Sequence, residues 1–220
     1  MNPSSSGFLD AVSLGLLAFA IGILPLAAVV ATSFMKLTIV FGLLRNAIGV
    51  QQVPSNMVTN GIALVLTAYI MAPIGMQAMD TLRARPPGDT PAQKFADIFE
   101  SAQEPYRKFL LQHARQRERQ FFVRSAASLW PAERAAALKD TDLIVLVPAF
   151  TLTELSEAFR IGFLLYMAFV IIDLIIANVL LALGLSQLNP TNLSIPFKLL
   201  MFVVIDGWSV LVHGLVLTYR

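Results

Sequence analysis

Two aspartates lie within long apolar stretches of the second half of the sequence. Asp173 interrupts the run at residues 161–185, and Asp206 interrupts the run at residues 199–217. Two carboxylates on successive membrane helices can share one proton, as an intramembrane aspartyl protease requires. Neither lies in the Gly-x-Gly-Asp context expected of that class, and the sequence has no phosphate-binding loop or nucleophile elbow. We therefore predict that the chain is not an enzyme and has no catalytic residue.

Metal, cofactor and nucleic-acid sites are also disfavoured by the composition. The chain has no cysteine, and His113 and His213 are its two histidines. Thiolate ligands are therefore excluded, and a histidine-based metal centre has too few ligands. The formal net charge is only +2, and most basic residues stand beside acidic ones, whereas a nucleic-acid face needs a one-sided basic patch. We predict no metal, no cofactor and no nucleic-acid partner.

Six charged side chains in the second half need protein rather than lipid around them. A charge at the bilayer centre costs roughly 2.5–3.5 kcal/mol on the lenient insertion scale. Glu157 and Arg160 stand three residues apart and are predicted to pair along one helix face. Asp173 and Lys198 flank a helix–turn–helix and are predicted to pair within or between subunits. The candidate charge-pair residues are Glu154, Glu157, Arg160, Asp173, Lys198 and Asp206.

Two other interpretations of these charges stay open at this stage. In the first, the charged side chains line a path for cargo or ions. In the second, the chain is a small-solute or proton-coupled transporter that uses Asp173 and Asp206. The transporter hypothesis expects inverted repeats, and the two halves show no convincing similarity. A polar stripe on one side of the last predicted helix favours burial against another helix. The members of that stripe are Lys198, Phe202, Asp206, Ser209 and His213.

The elements that carry these residues are long apolar helices. The chain is 56% hydrophobic, and residues 11–35 and 46–79 contain no charge. Such stretches exceed the ~20 residues that cross ~30 Å of hydrocarbon. Because backbone groups cannot stay unpaired in lipid, the sequence predicts an all-α membrane protein with four long apolar helical segments in two bent hairpins. The first two segments are placed at residues 12–35 and 59–79, joined by a loop at 36–58.

The composition changes between these hairpins. Residues 80–142 hold 11 of the 16 Lys and Arg and 9 of the 14 Asp and Glu. Apolar residues recur there at helical spacing, which predicts a small helical domain, with one break at Pro105 and an end at Trp130-Pro131. A further break is expected at Pro148, where apolar character returns. The predicted domains are therefore 1–79, 80–142 and 143–220.

Short-loop charge predicts the orientation in the membrane. Lys36, Arg45 and Lys198 fall in the predicted short loops, and cytoplasmic loops carry the excess of basic residues. These loops are therefore placed in the cytoplasm, and the domain at residues 80–142 is placed outside it.

Several strings of polar, Gly and Pro residues inside the apolar segments resemble the type III secretion export-apparatus protein SctR and its flagellar counterpart FliP. In the first half these strings are Thr32-Ser33-Phe34-Met35-Lys36, Leu44-Arg45-Asn46-Ala47-Ile48-Gly49, Gln51-Gln52-Val53-Pro54 and Asn56. In the second half they are Val147-Pro148-Ala149-Phe150, Glu154-Leu155, Ala158-Phe159, Ile161-Gly162-Phe163, Ile172-Asp173-Leu174, Leu183-Gly184, Ser194-Ile195-Pro196-Phe197-Lys198-Leu199 and Asp206-Gly207-Trp208. The resemblance is weakest over residues 80–142.

The resemblance implies a function that composition does not. Members of this family form a ring, described as a pentamer, with SctS-like and SctT-like subunits and other export-apparatus components. The ring is an export gate in the bacterial inner membrane through which unfolded substrates leave the cytoplasm. Part of the assembly is raised toward the periplasm, so that protein replaces lipid around the helices.

One departure from the family pattern concerns the pore. Many relatives carry a run of methionines just after the glycine that corresponds to Gly184, and flexible methionine side chains conform to varied cargo. This chain has stiffer and more polar residues there. The candidate constriction residues are Leu185, Ser186, Gln187 and Leu188.

Overall fold

The structure, a computed structural model, describes residues 15, 18–19, 22, 29–50, 54–84, 91–185 and 187–220. Every regular element in these residues is a helix, which confirms the all-α prediction. In chain order the helices beyond residue 33 are α1 (Phe34–Ile48), α2 (Asn56–Arg83), α3 (Pro91–His113), α4 (Gln116–Leu129), α5 (Ala132–Ala137), α6 (Leu143–Ala182), α7 (Pro190–Val204) and α8 (Gly207–Leu217).

Two of these helices are long and apolar enough to cross a membrane. They are α2, with 28 residues, and α6, with 40. The pair α7 and α8, bent by 63° at its break, is a third candidate if the two count as one span. The first predicted segment, residues 12–35, falls mostly outside the described residues. Four apolar segments in two hairpins therefore remain a prediction, while two to three candidate spans are observed.

The contacts divide the chain into two compact units. The first unit comprises Met1–Thr32 and Met71–Thr151, and the second comprises Ser33–Ile70 and Leu152–Arg220. Helices α2 and α6 each contribute residues to both units. The division into three domains made from composition stays a prediction.

Helix α1 forms the centre of the second unit. Leu37, Val40, Phe41 and Leu44 recur at helical spacing and are buried. They pack in one cluster with buried residues of α6, α7 and α8. The helix ends where Gly49 takes the left-handed conformation, with φ of 90°, and donates its N–H to the Arg45 carbonyl. The predicted loop at residues 36–58 is thus wrong over α1, because a buried apolar stripe begins directly after Lys36.

Four prolines lie inside the described helices, and one of them, Pro196, is within α7. Pro73 is within α2, Pro105 within α3 and Pro148 within α6. The predicted breaks at Pro105 and Pro148 are therefore wrong. A proline removes a single backbone donor, and the remaining bonds and the packing can keep a helix continuous through it. The break in this region comes instead after His113, where Arg115 is extended before α4 begins. The predicted end at Trp130-Pro131 is confirmed.

An elbow separates α7 from α8. Asp206 adopts φ of 51° and ψ of 47°, the left-handed region that residues other than glycine rarely occupy. Gly207 follows, and a Cβ there would lie 2.3 Å from the Phe202 ring. The Trp208 ring meets Phe202 edge-on, with centroids 5.6 Å apart. The prediction of a single last helix with a one-sided polar stripe is therefore wrong, because the elbow changes the helix direction between Phe202 and Ser209.

The first unit contains α3, α4 and α5. The Tyr106 hydroxyl of α3 donates a hydrogen bond of 2.6 Å to the Ala31 carbonyl, and burial raises the pKa of Tyr106 to about 12. Arg119 of α4 holds Asp140 at 3.0 Å. The Phe109 and Phe150 rings pack with centroids 5.5 Å apart. These contacts connect the amphipathic helices to the start of α6.

Candidate functional site

A fully buried ion pair joins α1 to α6 in the second unit. The Lys36 ammonium lies 2.9 Å from Glu154 Oε1, and the two side chains are only 4% and 2% exposed. The ammonium also stands 4.1 Å from the centroid of the Tyr219 ring and donates to Thr218 Oγ1 at 3.3 Å. A buried charge is tolerable when a partner and further hydrogen bonds satisfy it, and Lys36 has both. We call these four residues the Lys36 cluster.

The carboxylate of the Lys36 cluster is satisfied from a second direction. The Tyr219 hydroxyl donates to Glu154 Oε2. Burial is the main cause that raises the pKa of Tyr219 well above its ordinary value, and the negative charge of Glu154 raises it further. Tyr219 therefore keeps its proton and acts as a donor. The segment after α8 is in this way held against α6.

A second ion pair joins α6 to α7. Asp173 Oδ2 accepts from the Lys198 ammonium at 2.6 Å, and Ser194 donates to Oδ1 at 2.5 Å. Lys198 also donates to the Ala47 carbonyl at 3.0 Å. Ser194 and Lys198 are one helical turn apart on α7, which directs both side chains to the same aspartate. We call these four residues the Lys198 cluster.

The two clusters differ in their access to water. Lys198 is 4% exposed, but its partner Asp173 is 35% exposed. The Lys36 cluster lies at the start of α1, and Ala47 of the Lys198 cluster is near its end, about 16 Å away at 1.5 Å per residue. The apolar core around Phe41 and Leu44 lies on the helix between them. On either side of this core, the Lys36 cluster joins α1, α6 and the segment after α8, and the Lys198 cluster joins α1, α6 and α7.

Both carboxylates of these clusters are engaged by other side chains. Each is paired with a lysine and accepts a hydrogen bond from a hydroxyl. Among the described residues, no group of three or more His, Asp or Glu side chains could hold a metal ion. The Asp173 carboxylate is engaged by Lys198 and Ser194, and its side chain makes no hydrogen bond to Asp206. No observation favours a proton shared between the two aspartates.

The remaining predicted charge-pair residues are Glu157, Arg160 and Asp206. Glu157 is half-buried, whereas Arg160 and Asp206 are exposed. The structure does not join Glu157 and Arg160 in an ion pair among the residues that it describes. Asp206 stands at the N-terminus of α8, and its side chain makes no capping hydrogen bond. The structure thus brings together Asp173 and Lys198, and it gives Glu154 the partner Lys36.

The candidate constriction residues lie in the turn between α6 and α7. Gly184 has φ of 73°, which lets the chain turn after α6. Leu185, Gln187 and Leu188 are all exposed. Ser186 lies outside the described residues.

The sequence analysis does not identify Lys36 and Tyr219 as members of a buried cluster. Because Lys36 borders an apolar run, the sequence predicts a loop residue at a membrane boundary. The signal that could have found it is the apolar spacing that begins at Leu37, which marks the buried face of a helix directly beside Lys36. No sequence signal marks Tyr219, because its partner Glu154 is 65 residues away.

The burial of two lysines also removes the basis of the predicted orientation. The bias in Lys and Arg describes residues in loops, yet Lys36 and Lys198 lie inside helices and within ion pairs. Arg45 is the third residue of that count, and it lies inside α1. The placement of residues 80–142 outside the cytoplasm therefore stays a prediction.

Comparison with known proteins gives a family match over residues 17–215, to the FliP family. The chain belongs to the FliP family. This finding confirms the resemblance, because the matched range contains all the strings, from Thr32 to Trp208, on which the resemblance rests. The family is a structural component of the type III secretion apparatus of the bacterial inner membrane, and it is not a known enzyme family.

Three relatives of this FliP-family chain carry secretion names. The hypersensitivity response secretion protein HrcR of Ralstonia nicotianae is 59% identical over 210 residues, covering 94% of this chain and 97% of the relative. The Yop proteins translocation protein R of Yersinia pestis is 47% identical over 210 residues, covering 96% and 97%. The virulence protein YscR of Salmonella typhimurium is 41% identical over 202 residues, covering 91% and 93%.

Proposed function

We propose that the chain is a channel-forming structural subunit of the type III secretion export gate, and that unfolded substrates cross the bacterial inner membrane through the assembly. It forms a homo-oligomer, a pentamer, with SctS-like and SctT-like subunits and other export-apparatus components. Inner-membrane lipid covers part of it. It takes no nucleic acid and no cofactor, and it catalyses no reaction.

The observation that carries this proposal is the length of α6 combined with its exposure. Forty residues at 1.5 Å each make a helix of about 60 Å, twice the ~30 Å of a hydrocarbon core. Only 11% of its most apolar window is buried within the chain. Phe163, Leu164 and Leu174 are each exposed by more than half. Because a bilayer covers half of that length, neighbouring subunits are expected to cover the remainder.

Within this assembly the parts of the chain have distinct roles. The Lys36 and Lys198 clusters hold α1, α6, α7 and the segment after α8 in one arrangement. Arg160 and Asp206, both exposed, are available for contacts between subunits. The turn at residues 185–188 narrows the channel. The domain at residues 80–142 lies outside the cytoplasm, raised toward the periplasm.

The test separates assembly from passage. The chain, carrying an affinity tag, is purified in detergent from secreting cells, and the mass and partners of its complex are measured together with secretion. We expect a ring that contains several copies and the two partner types. Leu188→Trp should reduce secretion and leave the complex intact, whereas the matched control Leu181→Trp, an exposed leucine on α6, should reduce it less. Single copies without partners in cells that secrete would contradict the proposal.

A further inference from the structure

We infer that Arg160 of one copy pairs with Asp206 of the neighbouring copy and that this contact closes the ring. The inference rests on the proposed function, because it presupposes a homo-oligomer. It adds a specific interface, its two residues and its direction around the ring.

The charges of the second unit leave few candidates for such a contact. Among its described residues, Asp206 is the one exposed acidic side chain, and Arg160 and Arg220 are the exposed basic ones. The lysines and the other carboxylates are buried or half-buried, and both lysines are held in ion pairs. Arg220 follows the last helix, whereas Arg160 is inside α6.

The surroundings of both charges are apolar and exposed. Phe159 and Phe163 flank Arg160 on α6. Val204 and Ile205 precede Asp206 at the elbow, and Val210 stands one turn after it. Exposed apolar side chains of this kind indicate a face that lipid or another protein chain covers rather than a wetted face. A charge in such a surface is costly unless an opposite charge meets it when the surface is covered.

The position of Asp206 is fixed by packing, as an interface residue requires. Its backbone has φ of 51°, and the next residue, Gly207, is packed against the Phe202 ring. The Trp208 ring contacts both Phe202 and Phe41, with centroids 5.6 and 6.0 Å apart. The core therefore fixes the backbone position of Asp206 at the elbow. A preorganised charge loses little freedom when it pairs.

The two residues also define the symmetry of the contact. Arg160 is on α6 and Asp206 is at the α7–α8 elbow, so the interface joins two different surfaces. Such a head-to-tail contact produces a closed ring when its rotation permits, whereas a two-fold dimer would place the same surface on both sides. One copy then offers its arginine to one neighbour and its aspartate to the other.

Charge reversal in the full chain, produced together with its partner subunits, tests the pair. Arg160→Asp alone and Asp206→Arg alone should each weaken ring assembly by roughly tenfold or more, because like charges then face each other across the contact. The double variant should recover most of the assembly, as measured by native mass of the extracted complex. If the single variants assemble like the parent, or if the double variant shows no recovery, the inference is wrong.

Cross-linking then shows whether the pair joins two copies. The chain has no cysteine, so Arg160→Cys and Asp206→Cys can be introduced into separate copies that carry different tags. A short bifunctional thiol reagent should connect the two tags in the assembled complex. Leu181→Cys is the control, because it is exposed on the same helix about 32 Å from residue 160. A product of Arg160→Cys with itself, or equal products from the control, overturns the inference.

The results separate this inference from the proposed function. If the parent complex forms a ring and secretes but the charge swap fails, the Arg160–Asp206 contact is refuted. The export-gate proposal is then unaffected. A parent chain that forms no ring in secreting cells removes the proposed function and the inference with it.

Discussion

The Lys36 and Lys198 clusters share the same kinds of charged and hydroxyl groups but differ in their exposure to water. Each joins one lysine and one carboxylate with a hydroxyl donor, and each involves α1 and α6. Both charges of the Lys36 cluster are cut off from water, whereas Asp173 of the Lys198 cluster is 35% exposed. The cost of removing one partner depends on whether water can replace it. The difference therefore predicts two levels of sensitivity within one fold.

The largest effect is expected from Glu154→Gln in the closed cluster. The substitution keeps the shape of the side chain and leaves the Lys36 ammonium buried without its counter-charge. Breaking one partner of a buried pair costs about 3–5 kcal/mol, and we expect a loss of that size in the free energy of unfolding. Denaturant unfolding of the detergent-solubilised chain measures it.

The control for this prediction removes both charges together. Replacing a buried pair by apolar residues of similar volume is often nearly neutral. Lys36→Met combined with Glu154→Leu should therefore recover most of the stability lost by Glu154→Gln. A single variant that loses less than about 1 kcal/mol would show that the cluster is open to water.

A smaller effect is expected from Asp173→Asn in the half-open cluster. Water can reach residue 173 and solvate part of the change, so we expect a loss of about 1–2 kcal/mol in the free energy of unfolding. The matched control is Asp206→Asn, a substitution of the same kind at an exposed side chain. It should change the stability of the dispersed chain by less than about 0.5 kcal/mol. Equal losses at Glu154 and Asp173 would remove the contrast between the clusters.

The difference between the clusters also shows how far the sequence can be interpreted. Asp173 interrupts an apolar run, so the cost of a charge in lipid predicts that it needs a protein partner, and Lys198 is the lysine predicted to pair with it. Lys36 stands at the edge of an apolar run, where a basic residue usually marks a membrane boundary. The apolar spacing from Leu37 marks a buried helix face beside Lys36, but no local pattern identifies its partner Glu154, 118 residues away.

The helix boundaries were predictable only where a local cause sets them. Gly49 ends α1 through its own left-handed backbone, and Trp130-Pro131 ends α4. Pro105 and Pro148 gave the same kind of signal, yet both helices continue through them because packing outweighs one lost hydrogen bond. At the elbow, Asp206 adopts a left-handed backbone and Gly207 packs against the Phe202 ring, and the apolar spacing of the last segment indicates neither feature.

Removal of a single hydroxyl sharpens the comparison. Tyr219→Phe takes one donor from Glu154 in the closed cluster, and Ser194→Ala takes one from Asp173 in the half-open cluster. We expect losses of about 1–2 kcal/mol for Tyr219→Phe and less than about 1 kcal/mol for Ser194→Ala, because water can replace the serine. Thermal unfolding of both variants in one detergent measures the difference. A larger loss for Ser194→Ala would reverse the ranking of the clusters.

The smallest effect near neutral pH is expected from a hydroxyl outside both clusters, Tyr106 in the first unit. Burial raises its pKa from 10.0 to about 12, so the folded chain holds the phenol proton more tightly than the unfolded chain does. The resulting stability is complete below pH 10 and is lost as the pH rises from 10 through about 12. Tyr106→Phe should cost no more than about 1 kcal/mol at pH 8, through loss of the hydrogen bond to Ala31. It should also flatten the decline in thermal stability between pH 10 and 12.

Tyr69, which is exposed on α2, supplies the matched control, and Tyr69→Phe should leave that decline unchanged. If Tyr106→Phe keeps the parent's alkaline decline, burial of this phenol does not govern it, and other titrating groups of the chain do.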